Sequence, residues 1–513
     1  FGSFGQSEPQ RLSLFINGRR FIGFGGNWGF GESNLNYRER EYDIAVAYHA
    51  DMNFTMIRNW VGQIGDKEFY EACDRHGIMV WQDFWLANPV DGPNPYYTEM
   101  FNANACDYLK RIRNHPSIGI YVGRNEGNPP AGIDDYLRGL VFREHPGLYY
   151  ISNSAMGVVS GGGPYRALSP KSYFQSYGHD KFHSERGMPN VMNYESMLLT
   201  FGTDKIEPVN TSETPNPVYG LHDYTLGGGK GSSAQAASSF NDMIEKAFGR
   251  PRDAKQFAEW AQWINYDGYR AIFEGRSEHR RGMLLWMSHS AWPSMVWQTY
   301  DYYFDPNAAY FGCKKASEPL HIQWNPLRDD IEVVNYHAFD RTGLTATASL
   351  FNQDGTLQWT RETKLDIKED QTVACFPLEQ PETLSDTYFI KLSLTDSDGK
   401  QLSDNFYWRG KEDGNYKSLL QLPKVSVCKN VTVKKTGKEW LIRAVLKNEA
   451  RTPALMLRLK VAGEKSGRML LPVFYSDNYF SLLPGEVKEV DIRLYDADTY
   501  GEKPVLEVLG FNL

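Results

Sequence analysis

From about residue 20 to residue 320, short apolar runs alternate with stretches in which apolar positions recur every three or four residues. Parallel strands buried on both faces read as near-continuous apolar runs, and crossover helices read as 3.6-residue stripes, so this alternation predicts β/α units. The strand-like runs are 21–28, 55–60, 78–84, 118–126, 148–154, 172–177, 181–185 and 283–289. Helical periodicity marks 66–76, 100–113, 134–144 and 253–275. Eight strands with crossovers over roughly 300 residues predict a (β/α)8 TIM barrel. The sixth and seventh runs leave no room for a helix between them, and 190–250 reads as an irregular insertion before the last helix.

After Pro319 the period changes to two, with turn signals such as Asp354-Gly355 and almost no helical stripe. Runs at 331–336, 346–351 and 388–394, then at 431–435, 440–446, 456–461 and 487–494, have the lengths and spacing of two immunoglobulin-like β-sandwiches. The fold class is therefore α/β followed by all-β. The expected domains are a barrel over 20–320, a β-sandwich over 321–415 and an immunoglobulin-like β-sandwich over 416–513. Ahead of the barrel, residues 12–21 read as a hairpin turning at Asn17-Gly18, so 1–19 is expected to be the tail of a β domain lying upstream.

Composition narrows the function. A chain of 513 residues is too long for one core, and 41% hydrophobic with 23% charged residues is globular. Aromatic residues make up 14%, which favours carbohydrate handling because the C–H face of a pyranose packs flat on a ring. A net charge of -8 with scattered Lys and Arg disfavours a nucleic-acid partner. Cys73, Cys106, Cys313, Cys375 and Cys428 show no metal or disulfide spacing, and H-E-x-x-H and G-x-S-x-G motifs are absent, so no metal or other cofactor is expected. The glycine-rich run 226–232 lacks a preceding strand and a Gly-Lys-Ser/Thr ending, and reads as a surface loop. No apolar run of about 18 residues predicts a membrane span. A secretory leader would lie upstream of the first residue, so a periplasmic, extracellular or vacuolar location is expected over a cytoplasmic one.

Two glutamates end strand-like runs, Glu126 in Val122-Gly123-Arg124-Asn125-Glu126 and Glu185 in Phe182-His183-Ser184-Glu185-Arg186. Paired carboxylates at the rim of a barrel suit hydrolysis of a glycosidic bond, with one as proton donor and the other as nucleophile. The same rim gathers Asn27, Arg58, Trp60, Asp83, Trp85, Asn125, Tyr177, Trp286 and Trp292. Glu126 beside the neutral Asn125 amide would hold a proton, and Glu185 beside Arg58 would stay ionised. Tyr177 would donate to Glu185, Asn125 would hold the sugar 2-hydroxyl, and Trp286 would floor the pocket. Arg124 and Arg186 either read a substrate carboxylate or serve salt bridges behind the site. His179, His183 and His289 read as structural.

Several longer stretches resemble glycoside hydrolase family 2: 23–28, 48–60 (Tyr48-His49-Ala50-Asp51-Met52-Asn53 through Arg58-Asn59-Trp60), 68–84, Arg113-Asn114-His115-Pro116-Ser117 and Ala291-Trp292-Pro293. The segment 301–321 is similar to the β-mannosidase, endo-β-mannosidase and exo-β-glucosaminidase branch. The resemblance implies a retaining glycosidase with Glu126 as acid/base and Glu185 as nucleophile. It also implies an innermost sugar subsite lined by Asn125, Arg58, Tyr177 and Trp286, and an oligosaccharide or polysaccharide substrate. Asn125-Glu126 favours the mannosidase side of that branch. The alternatives are β-galactosidase, β-glucuronidase or exo-β-glucosaminidase activity, or a carbohydrate-binding fragment that kept the barrel without activity. Family members open with a jelly roll and an immunoglobulin-like domain, here expected upstream or on a separate chain.

Overall fold

The computed structural model describes residues 11–175, 180–211, 214, 216–222, 234–295, 297–337 and 339–513. They divide into two compact units. The first runs to Tyr165 and adds Gln175–Met188 and Ile272–Trp292; the second holds Arg166–Phe174, Pro189–Ala271 and Pro293–Leu513.

The first unit is built on eight strands: β1 (Gly23–Trp28), β2 (Met56–Asn59), β3 (Met79–Asp83), β4 (Ile118–Arg124), β5 (Tyr149–Asn153), β6 (Val159–Ser160), β7 (Phe182–Arg186) and β8 (Gly282–Leu285). Their order is β5-β4-β3-β2-β1-β8-β7-β6, and every ladder is parallel. The last strand returns to lie beside the first, which is the cyclic order of a (β/α)8 barrel. Inside, Met56, Trp81, Ile120, Val122, Ile151, Val159, Phe182 and Leu284 form one buried cluster. β1 is glycine-rich because its neighbours press on it: a Cβ at Gly25 would lie 1.6 Å from the Met56 carbonyl oxygen.

Helices α1 (Glu39–Asp51), α2 (Lys67–His76), α3 (Thr98–Ile112) and α4 (Ala131–Glu144) fall between the first five strands. The last three match the periodic stretches to within a few residues. α2 stops where Gly77 takes a left-handed φ of 70° as its C-cap. The long Ala254–Glu274 helix also lies where the pattern put it. The Asn17-Gly18 hairpin is present, pairing Leu14 with Phe21 and Ile16 with Arg19, with both turn residues at positive φ as a type I′ turn requires. Its neighbour Leu12 and its own Leu14 pack into the barrel cluster.

Two expectations are corrected. The run 172–177 is not the sixth strand: Pro170–Gln175 is a helix with Tyr173 and Phe174 buried, and 176–179 lie outside the described residues. The sixth strand is the two-residue β6, which pairs Val159 with Phe182 and then yields to a glycine run, too short for any periodicity to mark it. The stretch 190–250 is also more regular than expected, with helices at Tyr194–Phe201, Pro217–His222 and Ala234–Phe248. The glycine-rich run 226–232 lies outside the described residues.

The second unit contains two antiparallel sandwiches. Leu320–Asn325, Asp330–Asn335 and Gln371–Pro377 form one sheet of the first; Leu357–Ile367, Arg341–Asn352, Thr387–Thr395 and Gln401–Gly410 form the other. Alternate residues Leu344, Ala346, Ala348 and Leu350 point into their shared core with Ile322, Val333 and Ile390. The second sandwich sets Val427–Thr436, Glu439–Asn448, Val487–Tyr495 and Val473–Tyr475 against Phe480–Leu482, Ala454–Gly463 and Pro504–Leu509. Among the described residues no helix is long and apolar enough to cross a membrane, and no group of three or more His, Cys, Asp or Glu could hold a metal ion.

Candidate active site

Arg58, near the end of β2 and fully buried, is the hub of the barrel mouth. Its Nη1 donates to Glu185 Oε1 at 2.6 Å on β7, its Nη2 to Asp83 Oδ2 at 2.7 Å on β3, and the same Nη2 to Asn125 Oδ1 at 2.9 Å after β4. A buried guanidinium is tolerable only when paired and hydrogen-bonded, and two carboxylates supply that here. Asp83 also accepts from Trp81 Nε1 at 2.8 Å and from the Val61 amide at 3.0 Å. With no exposed surface, it sits behind Arg58 and positions it, a correction to its expected place against substrate. Asn27 on β1 ties the far side together by donating to the carbonyls of Ser184 and Leu285, both at 2.9 Å.

The two glutamates meet through a residue the sequence reading did not single out. The Tyr165 hydroxyl donates to Glu185 Oε2 at 2.7 Å and lies 3.3 Å from Glu126 Oε1. Tyr177, expected in this role, lies outside the described residues. Tyr165 arrives on the run Gly161-Gly162-Gly163-Pro164 after β6, which crosses tightly over β7. Gly163 N donates to Glu185 O at 3.1 Å and Gly187 N to Pro164 O at 3.2 Å. A Cβ at Gly161 would lie 2.5 Å from Ser184 Oγ, and Gly162 and Gly163 both have positive φ. A tyrosine after three glycines at a barrel strand end was the available signal.

Glu126 itself has a φ of 47°. A non-glycine residue held in the left-handed region costs on the order of 1–2 kcal/mol, and such strain persists where the surroundings over-determine it. Here its amide donates to Ser154 Oγ at 3.0 Å, the Asn125 amide donates to Leu86 O at 3.0 Å, and Ser154 Oγ lies 3.3 Å from Asn125 Oδ1.

Burial pushes the Glu185 carboxyl up from 4.5 to about 7; Arg58 opposes the rise and Glu126 adds to it. Arg58 thus lies against Glu185 as expected, but burial outweighs its pull, so it does not hold the carboxyl in the ordinary range; the same cation also pairs with Asp83. Burial and the two glutamates hold the Tyr165 hydroxyl far above the ordinary tyrosine range, so it is a neutral donor. If Glu185 serves as the nucleophile it must be ionised to attack, so kcat/KM should be high above and fall as pH drops through an apparent value near 7 on the acid side. An acid limb near 4.5 would show that Arg58 outweighs burial.

Aromatic rings wall one side. Trp60 and Trp286 meet edge to face at 4.9 Å, and Tyr165 stands 6.3 Å from Trp286. Trp85 is at the rim, partly exposed, its Nε1 on Gly62 O at 3.1 Å. Trp292 holds Ser290 Oγ on its carbonyl at 2.8 Å and is not joined to the carboxylates by these contacts. Arg124 spends its guanidinium on the loop after β3: Nε reaches Ala87 O at 2.7 Å and Nη1 reaches Asn94 Oδ1 at 2.7 Å, so it serves neither a substrate carboxylate nor a salt bridge. Arg186 is buried. His183 and His289 are buried with values near 3 and 4, hence neutral, and His289 stacks on Trp28 at 4.2 Å. His179 lies outside the described residues.

A parallel barrel with two carboxylates converging past its fourth and on its seventh strand, followed by β-sandwiches, is the architecture of a barrel glycoside hydrolase. Residues 405–513 match the exo-β-D-glucosaminidase Ig-fold domain family. The chain is 27% identical to a mannosylglycoprotein endo-β-mannosidase of Lilium longiflorum, over 97% of this chain and 63% of that protein. It is 28% identical to an exo-β-D-glucosaminidase of Streptomyces avermitilis, over 97% of this chain and 60% of that protein. Its fold is shared with the Amycolatopsis orientalis exo-chitosanase CsxA (TM-score 0.87, 24% identity, 99% of this chain and 65% of that one) and with a β-D-mannosidase of Dictyoglomus thermophilum (0.78, 20%, 99% and 62%). The chain is thus similar to the β-mannosidase, endo-β-mannosidase and exo-β-glucosaminidase branch of glycoside hydrolase family 2. It spans somewhat over half the length of the curated relatives it matches, 63% and 60% of the two named.

Proposed function

We propose that this chain carries the catalytic barrel of a retaining β-glycosidase that acts on β-mannosides in an oligosaccharide or polysaccharide. The observation that supports it best is the shared Tyr165 hydroxyl. Two oxygens touching one hydroxyl lie no farther apart than about 6 Å, close to the roughly 5–5.5 Å of retaining enzymes and short of the 6.5–9.5 Å that admits an inverting water. Glu185, ionised, attacks the anomeric carbon while Glu126 gives its proton to the leaving oxygen. The glycosyl ester removes the charge from Glu185, and Asp83 then keeps Arg58 compensated. The Tyr165 hydroxyl can turn from Glu185 to Glu126 as the negative charge moves there. Glu126, now a base, takes a proton from water, which opens the ester with net retention. No step uses a metal or cofactor.

The Asn125 amide favours a neutral hydroxyl at the sugar 2-position. Its Oδ1 already accepts from Arg58, so the NH2 is what it offers a ligand. A 2-ammonium cannot accept that hydrogen bond and would stand beside a guanidinium. An aryl β-mannoside should therefore exceed the matching aryl β-glucosaminide in kcat/KM by about 100-fold, the upper part of the roughly 1–3 kcal/mol lost when a buried donor is left unsatisfied. The second reading, exo-β-glucosaminidase, draws support from the Ig-fold match at 405–513, and a panel of aryl β-glycosides decides between them. The anomer first released, followed by NMR, tests retention; initial release of the α-anomer would overturn it.

The assembled pair, hub arginine and tyrosine count against an inactive carbohydrate-binding remnant. In the same reading, the jelly-roll and immunoglobulin-like domains of family members complete the active assembly, on this polypeptide or a separate one. A glycan substrate suits a periplasmic, extracellular or vacuolar setting.

A further inference from the structure

Three aromatic side chains reach solvent on the loop between β3 and α3. Trp85 is 37% exposed, Tyr96 89% and Tyr97 72%. Single exposed aromatics are ordinary on a protein surface. These differ in where they are held. The loop leaves the C-terminal end of β3, the end of a barrel that carries chemistry, and it is bound to the strand that delivers Glu126. Arg124, the last residue of β4, grips Ala87 O and Asn94 Oδ1 at 2.7 Å each, with Gly92 O at 3.4 Å. The Asn125 amide donates to Leu86 O at 3.0 Å, and a Cβ at Gly127 would lie 3.2 Å from Pro89. Backbone and side chain on both sides of Glu126 thus touch this one loop.

At roughly 3.5 Å per residue, Tyr96 and Tyr97 stand within about 10 Å of the Asn94 that Arg124 holds. Tyr97 is also the N-cap of α3, which fixes its backbone in an extended conformation. The rings Trp60 and Trp286 meet each other, and Trp286 stands 6.3 Å from Tyr165. An acid that protonates the leaving oxygen has the leaving group above it, so the surface beside Glu126 is where the departing sugar lies.

We propose that the Trp85-to-Tyr97 loop, pinned to the acid strand by Arg124, is a leaving-group subsite in which Tyr96 and Tyr97 offer ring faces to the pyranose of a departing oligosaccharide. This inference rests on the glycosidase reading and adds the substrate class: a β-linked sugar chain extending past the cleaved bond. Asn94, two residues before Tyr96, has its Oδ1 on Arg124, so its NH2 is what it offers a sugar hydroxyl, and a hydrophobic protein partner would find that donor a poor match. Stacking needs the ring and not its hydroxyl.

The test uses the full chain and two substrates that differ only on the leaving side, β-mannosyl fluoride and β-1,4-mannotriose. The double variant Tyr96→Ala/Tyr97→Ala should lose at least 10-fold more kcat/KM on the trisaccharide than on the fluoride. Tyr96→Phe/Tyr97→Phe should recover most of that gap. Equal changes on both substrates, or no recovery with phenylalanine, overturns the subsite while the glycosidase reading stands. Hydrolysis of neither substrate by the unaltered chain overturns the β-mannosidase reading and the subsite with it.

Discussion

Glu185→Gln should abolish turnover and, at pH above 7, make the protein more stable. The first effect follows from the role proposed for Glu185: without a nucleophile no glycosyl ester forms, and the loss expected is on the order of 10⁴-fold or more, as for removal of other catalytic nucleophiles. The second follows from burial. A carboxyl raised from 4.5 to about 7 contributes its full stability below about pH 4.5, loses it as pH rises towards 7, and leaves an ionised group that costs stability above that. At 1.36 kcal/mol per pKa unit the cost is on the order of 3 kcal/mol, and a glutamine that still accepts from Arg58 should recover about 1–3 kcal/mol of it. The usual objection is that breaking a buried ion pair leaves a bare charge and destabilises by about 3–5 kcal/mol. Here Arg58 keeps Asp83 at 2.7 Å, so no bare charge remains. Melting curves of both forms at pH 5 and pH 8 check this. The variant should melt higher at pH 8 and the gap should shrink at pH 5; a variant that melts lower at both would mean the Arg58–Glu185 pair holds the site together.

That trade between stability and chemistry was not legible in the sequence, and the reason is depth. Arg58, Asp83, Asn125, Glu126 and Glu185 could be placed at one rim because each ends a buried strand, and strand ends in a barrel converge whatever lies between them. How far Glu185 is from water, and that Arg58 divides its charge between two acids, depends on packing that no local pattern reports. The same limit explains the misplaced sixth strand. Periodicity needs several residues to register; β6 has two, while the apolar run at 172–177 belongs in part to a short helix. Tyr165 was missed because its run of glycines reads as loop, although the glycines are what let that loop press onto β7. Helix α1 went unnamed for a related reason: its buried face is Tyr42, Tyr48 and His49 as much as Ile44 and Val46, so its stripe is weak. The sandwiches were read more fully because alternation over nine or ten residues, as at Thr387–Thr395 and Glu439–Asn448, is hard to mistake.

Glu126→Ala should behave unlike the nucleophile variant, and the difference is what assigns the two roles. In the proposed mechanism Glu126 acts first as an acid, so its removal should slow bond cleavage in proportion to how much the leaving group needs a proton. A β-linked disaccharide, whose leaving alcohol is a poor one, should lose about 10³-fold or more in kcat/KM, towards the upper end of what general acid catalysis supplies. A 2,4-dinitrophenyl glycoside needs no proton and should lose little in that first step. Its ester should then accumulate, because the base that activates water is gone, giving a burst followed by slow turnover. Azide needs no base to attack, and the space left by the side chain lies beside the anomeric carbon. Added azide should therefore restore turnover of the dinitrophenyl substrate and yield the β-glycosyl azide, the product of attack on the face Glu126 serves. The structure adds one constraint: in Glu185→Gln the Tyr165 hydroxyl can turn fully to Glu126, whereas in Glu126→Ala it stays on Glu185 Oε2 at 2.7 Å. The nucleophile should remain oriented in the second variant, so azide rescue is expected there and not in the first. Rescue of both variants to the same extent, or equal mild losses across leaving groups, would sink the ordered pair.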